Sequence, residues 1–592
     1  MAMQKWSSLV EMFFNQAQKY KKKNLLFQKV NTAYVGQSWS EVAAKVNALA
    51  RALKEMGVTR GDRVILVSEN SPNWFIADLA IMAAGGITVP AYTTYTTRDY
   101  LHILDDSKAR HAILSTQTLA RAFLKGAAYS NHLKDVIVME PLSLSQTVNI
   151  NLHTWDDVLK QSASSDNTAA PIELSRTDIA CIIYTSGTGG APKGVMIPHG
   201  AILHNCENAA TVIKPLGLDN NRFLSFLPLS HAYEHTAGQF LPISIGASIY
   251  YAENLEKLAA NMEECSPTIM VVVPRLFEML RTRITRTVEK EGGLKLKLFQ
   301  QAIALGTQKY LSPGTLTYKQ RLINRVLNAT VRKQIQKKFG GKMKALVSGG
   351  APLATDVGLF FASLGLPLLQ GYGQTESGPV ISVNPPHEPR MHTVGTLLEN
   401  TEVRIADDGE ILVRGELVMA GYWQNEAETK RVIIDGWLHT GDVGKFDADG
   451  YLEITDRKKD IIVNDKGDNV SPQKIEGLIS LEMEIAQAMV YGDKRPHLVG
   501  LIVPDPEWLR GWCKANKKPN DLKEVYQDKS LHKALSEVMT RVNQGLSNME
   551  KIRRFAILPE GFTVENEQMT PTLKVRRHVI NALYKDTIEA LY

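Results

Sequence analysis

One stretch of the chain carries the residue types that grip phosphate: Tyr184-Thr185-Ser186-Gly187-Thr188-Gly189-Gly190-Ala191-Pro192-Lys193-Gly194. Its four glycines let the backbone take positive φ and bring N–H groups close to a guest, its hydroxyls add donors, and Lys193 adds one positive charge. Together these suit an oligophosphate and predict binding of a nucleoside triphosphate. Two common phosphate loops fail on spacing. A Walker loop needs Gly-Lys followed by Ser or Thr, whereas Lys193 stands between Pro192 and Gly194, and a proline removes an amide donor. A dinucleotide fingerprint fails because Pro192 occupies the position after Gly187-x-Gly189-x-x. An ordinary glycine-rich turn has the same composition, so the loop alone leaves both readings open.

The elements around the loop must hold it in place. The apolar run Ile179-Ala180-Cys181-Ile182-Ile183 reads as a buried strand emptying into it. Upstream, Ser38 and Glu41 predict a capping box, and Val42, Val46, Leu49, Leu53 and Met56 predict one amphipathic helix stopped by Gly57. Short strands are expected at Val64–Val67, Ile87–Pro90, Ala112–Leu114 and Val136–Val138, with a helix from Trp74 to Ala84. This alternation predicts a parallel sheet covered on both faces, with residues 1 to about 175 as one layered α/β unit. The small, polar residues Ser162 to Thr168 read as an exposed connection. Downstream, Phe223 to His231 reads as a strand running into a turn, which puts His231 at a strand end, where α/β sheets place sites. A lone histidine is more often structural.

With these segments in place, the loop resembles the signature of the AMP-forming adenylating enzymes, the superfamily of acyl-CoA synthetases, luciferases and peptide-synthetase adenylation domains. That signature is usually Tyr-Thr-Ser-Gly-Thr-Thr-Gly-x-Pro-Lys-Gly; here Gly189 stands where threonine is usual. The resemblance runs through five motifs in the family's order, over roughly residues 10 to 585. It implies that ATP and AMP are held by Thr185, Ser186, Gly187, Thr188, Gly189, Gly190 and Lys193. Leu227 to Glu234, including His231, is similar to the segment lining the acyl pocket, and Val273 to Glu278 resembles a segment of the long-chain branch.

The later motifs are equally informative. Gly349, Gly350, Ala351 and Pro352 stand in the turn that packs on adenine in the family, and Gln370, Gly371, Tyr372, Gly373, Gln374 and Thr375 lead to Glu376. By resemblance Tyr372 stacks on the base, and Glu376 holds Mg²⁺ with the Thr185 hydroxyl. A carboxylate beside a triphosphate makes sense chiefly through a metal that takes oxygen from both. Asp442, at the end of Gly436 to Asp442, matches the aspartate that accepts both ribose hydroxyls; an aspartate after glycine also makes plain turns. Arg457 falls near the ribose and Lys459 at the pivot of a hinge, in a run that composition alone makes a charged linker. Lys574, in Pro571-Thr572-Leu573-Lys574-Val575-Arg576-Arg577, resembles the catalytic lysine that bridges carboxylate and α-phosphate. A lysine in a basic run is otherwise just solvated.

The implied fold is α/β: a large N-terminal domain of layered α/β subdomains over 1–455, a hinge at 456–460, and a small mobile α+β domain over 461–592 that carries Lys574. A length of 592 residues requires more than one core. The composition, 44% hydrophobic and 22% charged, excludes a disordered chain. Four scattered cysteines without a CxxC pair argue against zinc and for a reducing compartment. The segment Met1 to Ser8 has no long apolar core, and no apolar run approaches the roughly 20 residues a bilayer requires. These readings predict a cytoplasmic protein, and the charge distribution adds the expectation of peripheral contact at the inner membrane face.

The formal charge of +6 is uneven: residues 281–344 hold 16 Lys or Arg against Glu289 and Glu291, a local +14 that leaves −8 elsewhere. This window, helical in pattern and punctuated by Gly292-Gly293 and Ser312-Pro313-Gly314, is expected to meet an anionic membrane; a merely solvated surface is the plain alternative. Nucleic acid is not expected as a partner, and a homodimer is admitted. The function implied by the resemblance is activation of a long-chain fatty acid by ATP to acyl-AMP, with pyrophosphate released, then transfer to coenzyme A. Two alternatives are an acyl-AMP ligase serving a carrier protein and a catalytically inactive lipid- or nucleotide-binding homologue.

Overall fold

The computed structural model describes residues 5–142, 150–163, 172–185, 192–465, 468–570 and 575–592. Local signals place several elements directly. Ser38 Oγ accepts the Glu41 N–H at 3.3 Å and the Glu41 carboxylate accepts the Ser38 N–H at 2.7 Å, which starts the helix Trp39–Glu55. Its apolar face, with Val42, Val46, Leu49 and Leu53, is buried. The next helix spans Pro72–Ala83 and begins earlier than the expected Trp74. Ser71 caps it by accepting the Trp74 N–H at 3.2 Å, and Pro72 needs no donor partner in the first turn.

Two large mixed sheets form the first 400 or so residues, parallel at their centres and antiparallel toward the edges, with helices between them. The eight-stranded sheet holds Arg63–Val67, Ile87–Ala91, His111–Leu114, Asp135–Val138, Asn151–Thr154, Ile179–Thr185, Lys193–Pro198 and Gly421–Tyr422. The nine-stranded sheet has at its centre Arg222–Ser225, Ile269–Val272, Ala345–Ser348 and Leu368–Tyr372, all parallel.

The expectation that residues 1 to 175 make one unit is corrected. Asn24–Val30 and Ala33–Ser38 join the nine-stranded sheet, where Leu26 pairs with Ile249 and Phe27 with Tyr250. Neither strand is among the elements expected from the alternation, which also does not say which distant strands pair. The exposed connection expected from Ser162 is also shifted, because the helix Trp155–Ala163 runs into it; residues 164–168 lie outside the described residues.

A five-stranded antiparallel sheet follows, in which Trp437–Phe446 pairs with Leu452–Arg457 so that Asp442 stands opposite Arg457. Beyond it, Ile485–Tyr491, Leu498–Pro504 and Ile552–Ile557 make a three-stranded sheet with helices and two apolar cores of its own. This is the α/β architecture with a smaller α+β part that the motifs implied. The basic window is helical as expected: Pro274–Glu291, Gly293–Leu311, Tyr318–Leu327 and Lys333–Lys338, with positive φ at Gly292 and Gly293. Among the described residues no helix is long and apolar enough to cross a membrane.

Candidate active site

Buried apolar residues, from Ala180 to Tyr184, anchor the strand Ile179–Thr185. It pairs antiparallel with Lys193–Pro198, Thr185 opposite Lys193, so these two residues stand at the mouth of the glycine loop. Ser186, Gly187, Thr188, Gly189 and Gly190 lie outside the described residues.

The Lys193 ammonium meets the Glu428 carboxylate and sits 5.2 Å from the centre of the Tyr422 ring. Arg431 also holds Glu428, its Nε 2.8 Å from Oε2. Arg431 first, and Lys193 second, pull the Glu428 pKa down to about 2. The Tyr422 hydroxyl donates to Glu376 Oε1 at 2.9 Å, while burial first and Glu376 second push its own pKa far up. Lys193 and Glu376, distant in sequence, are thus joined through one tyrosine. Sequence reasoning missed Glu428 and Tyr422. The available signals were the i,i+3 pair Glu428–Arg431 on the helix Glu426–Val432 and the Gly421-Tyr422 strand.

The second group lies at neighbouring strand ends, where Ser348 pairs in register with Gln370. Ser348 Oγ, Gln370 Oε1 and Gln374 Nε2 are buried and have no hydrogen-bond partner among the described residues. Such atoms cost about 1–3 kcal/mol each when unmatched, and a polar heterocycle is the kind of guest that offsets that cost. Gly349 carries no side chain because a Cβ there would stand 2.8 Å from the Tyr233 ring, whose hydroxyl donates to the Val347 carbonyl at 2.9 Å. Gly350 follows with φ +80°, and Ala351 and Pro352 are exposed. Gly371 lies at the end of Leu368–Tyr372, Gly373 follows it, and Thr375 opens the short turn Thr375–Ser377 that carries Glu376.

Asp442, 4% exposed, is the centre of a third group. Its Oδ2 accepts the Tyr372 hydroxyl at 2.7 Å and its Oδ1 accepts Arg457 Nε at 2.9 Å. Burial, reinforced by Asp442, raises the Tyr372 pKa well above its ordinary value; burial opposes the Arg457 charge, but Asp442 more than compensates. An ionised carboxylate offers about four acceptor sites, so two remain for hydroxyl donors.

His231 lies in the loop beyond Arg222–Ser225, where its Nδ1 accepts the Tyr233 N–H at 3.2 Å. Beside it Glu234 is buried near Ser225, and burial pushes its pKa up to about 8. Lys459 is exposed on the turn between Leu452–Arg457 and Ile462–Val463. Lys574 lies outside the described residues; Met569 and Val575 pair antiparallel on either side of it.

The family profile described as AMP-binding enzyme matches residues 13–423, and that of the AMP-binding enzyme C-terminal domain matches residues 459–592. The long-chain-fatty-acid–CoA ligase FadD15 of Mycobacterium bovis is 33% identical over 558 residues, 93% of this chain and 92% of that protein. Long-chain-fatty-acid–CoA ligase 5 of Rattus norvegicus is 28% identical over 604 residues, covering 96% and 85%. Among solved structures, the A domain of carboxylic acid reductase from Segniliparus rugosus, in complex with AMP and a co-purified carboxylic acid, shares the fold. Its TM-score is 0.77 at 20% identity, over 100% of this chain and 95% of that one.

Proposed function

The chain belongs to the AMP-binding enzyme family, and on that premise we propose that it activates a long-chain fatty acid with ATP and passes the acyl group to coenzyme A. The observation that carries this reading is the buried Asp442 carboxylate, which accepts from Tyr372 and Arg457 and keeps acceptor sites for hydroxyl donors, beside strand ends bearing unmatched polar atoms. The ligase names of relatives matched over nearly their whole length support the acyl substrate and the thiol acceptor, and favour coenzyme A over a carrier protein.

In the first half-reaction an oxygen of the fatty carboxylate attacks the α-phosphorus; the bond from that phosphorus to the bridging oxygen breaks, and pyrophosphate leaves. Asp442 accepts the ribose hydroxyls, Tyr372 lies against the base, and Gly349 to Pro352 with Gln370 to Thr375 form its bed. Lys193 leaves Glu428 for the phosphates, and Arg431 remains to neutralise that carboxylate. Lys574 adds the second cation, and His231 borders the acyl side. Glu376 and Thr185 would hold Mg²⁺, whose chemistry is neutralising the triphosphate. Holding acid and phosphate in line is worth roughly 7–11 kcal/mol of barrier.

In the second half-reaction the thiol sulfur attacks the acyl carbon, the acyl–phosphate bond breaks and AMP leaves. That approach requires Lys574 to withdraw, which a turn about Lys459 accomplishes. The test is pyrophosphate release across fatty acids of increasing length, with and without coenzyme A. Release that rises with chain length, and thioester formed only when coenzyme A is present, is expected; no acid-dependent release would overturn the reading.

A further inference from the structure

We propose that the outer face of the helix Tyr318–Leu327 seats this protein on an anionic lipid bilayer. The +14 of residues 281–344 is not all available for a partner, and the structure sorts it. Arg286 is spent on Asp505 and Glu507, at 2.9 and 2.6 Å, and Lys338 on Glu263 at 2.9 Å. Arg332 is buried and donates to the carbonyls of Ala302 and Ser363. Arg283, Lys297, Lys309, Lys333, Lys337 and Lys342 are exposed without an acid partner among the described residues, but they are spread over three helices and a loop, whereas three such cations share the helix Tyr318–Leu327. Lys319, Arg321 and Arg325 are exposed and reach no acid among the described residues; Arg321 donates to the Leu316 carbonyl at 3.0 Å.

The same face is apolar along its middle. Tyr318 is 85%, Leu322 54% and Val326 57% exposed, while Asn324 and Leu327 behind them are buried. At 100° per residue the three apolar side chains fall within an arc of about 80°, with Arg325 and Arg321 along one border and Lys319 along the other. Leu311, 62% exposed, ends the preceding helix Gly293–Leu311. A solvated helix surface has no use for a tyrosine, a leucine and a valine in line. A stripe of apolar groups bordered by cations is what an interfacial helix presents, its side chains entering the headgroup boundary and its cations meeting acidic headgroups. This inference is independent of which acid the active site takes.

Co-sedimentation with phosphatidylcholine vesicles, with and without phosphatidylglycerol, at low salt and again at high salt tests it. Preferential binding to the phosphatidylglycerol vesicles, weakened by salt, is expected. Lys319→Glu with Arg325→Glu should cost about fivefold in that binding per charge. Tyr318→Ser, Leu322→Ser and Val326→Ser together should weaken binding at both salt concentrations, with thermal stability and pyrophosphate release in detergent-dispersed acid unchanged. Equal binding to both vesicles would overturn the proposal. So would a serine variant that binds as the parent does, or a parent dimer in sedimentation that dissociates in the serine variant, since the occupant would then be a second copy.

Discussion

Lys193 reaches its position by strand pairing but is held there by Glu428, a residue with no place in the glycine loop. Its side chain is 31% exposed, so solvent weakens the pair and its worth lies within about 0.2–1 kcal/mol. In the proposed reaction Glu428 and the triphosphate compete for one ammonium. Glu428→Gln removes the competitor's charge, so the KM for ATP should fall by up to about fivefold, with kcat little changed. Initial rates against ATP concentration check this, and a KM that rises instead would show that Glu428 orients Lys193 for the phosphates rather than storing it. Arg431 keeps Glu428 compensated in either state, which is why one charge can leave without stranding the other.

At the scale of elements, the turn from Glu234 to Phe240 shows how packing sets chemistry that spacing does not announce. It is wound as a π-helix, and Gly238 leaves room for the Glu234 carboxyl, which a Cβ there would meet at 2.4 Å. Burial raises the Glu234 pKa from the ordinary 4.5 to about 8. The folded form therefore holds a proton that the unfolded chain loses: the stabilisation is complete below pH 4.5 and is lost as pH rises through about 8. Melting temperatures between pH 5 and 9 should fall with pH in the parent and be flatter in Glu234→Gln; parallel slopes would contradict this.

The same scale explains what could be read in advance. The helix Trp39–Glu55 was legible because its cap and its apolar face lie within a few residues of each other. The strand Asn24–Val30 is not among the expected elements, and its place in the sheet depends on Ser248–Tyr251, which is remote in sequence. Motif resemblance named Asp442, Tyr372 and Arg457, but their hydrogen bonds arise from the register of Trp437–Phe446 on Leu452–Arg457 and from a strand of a different sheet. Glu428 had no motif to mark it; its meeting with Lys193 depends on Gly421–Tyr422 pairing with Lys193–Pro198 and turning into the next helix.

The whole molecule joins two bodies of core. Apolar residues from Ile462 onward fill clusters of their own, except Leu481, which packs on the cluster around Phe277 and Phe361, while Arg286 and Arg275 of the helix Pro274–Glu291 reach across to Asp505, Glu507 and the Ala486 carbonyl. Polar bridges of this kind can be exchanged for others at little net cost, unlike a shared apolar core. That suits the proposed division at 456–460, in which the small part delivers Lys574 for one half-reaction and removes it for the other. The most direct measurement is the pair of half-reactions in Lys574→Ala: fatty-acid-dependent exchange of pyrophosphate into ATP, and thioester formation from supplied acyl-AMP and coenzyme A. Exchange should fall by about a hundredfold or more, as when one transition-state donor is removed, while thioester formation stays within a few-fold of the parent. Equal loss in both, or none in the first, would contradict the account.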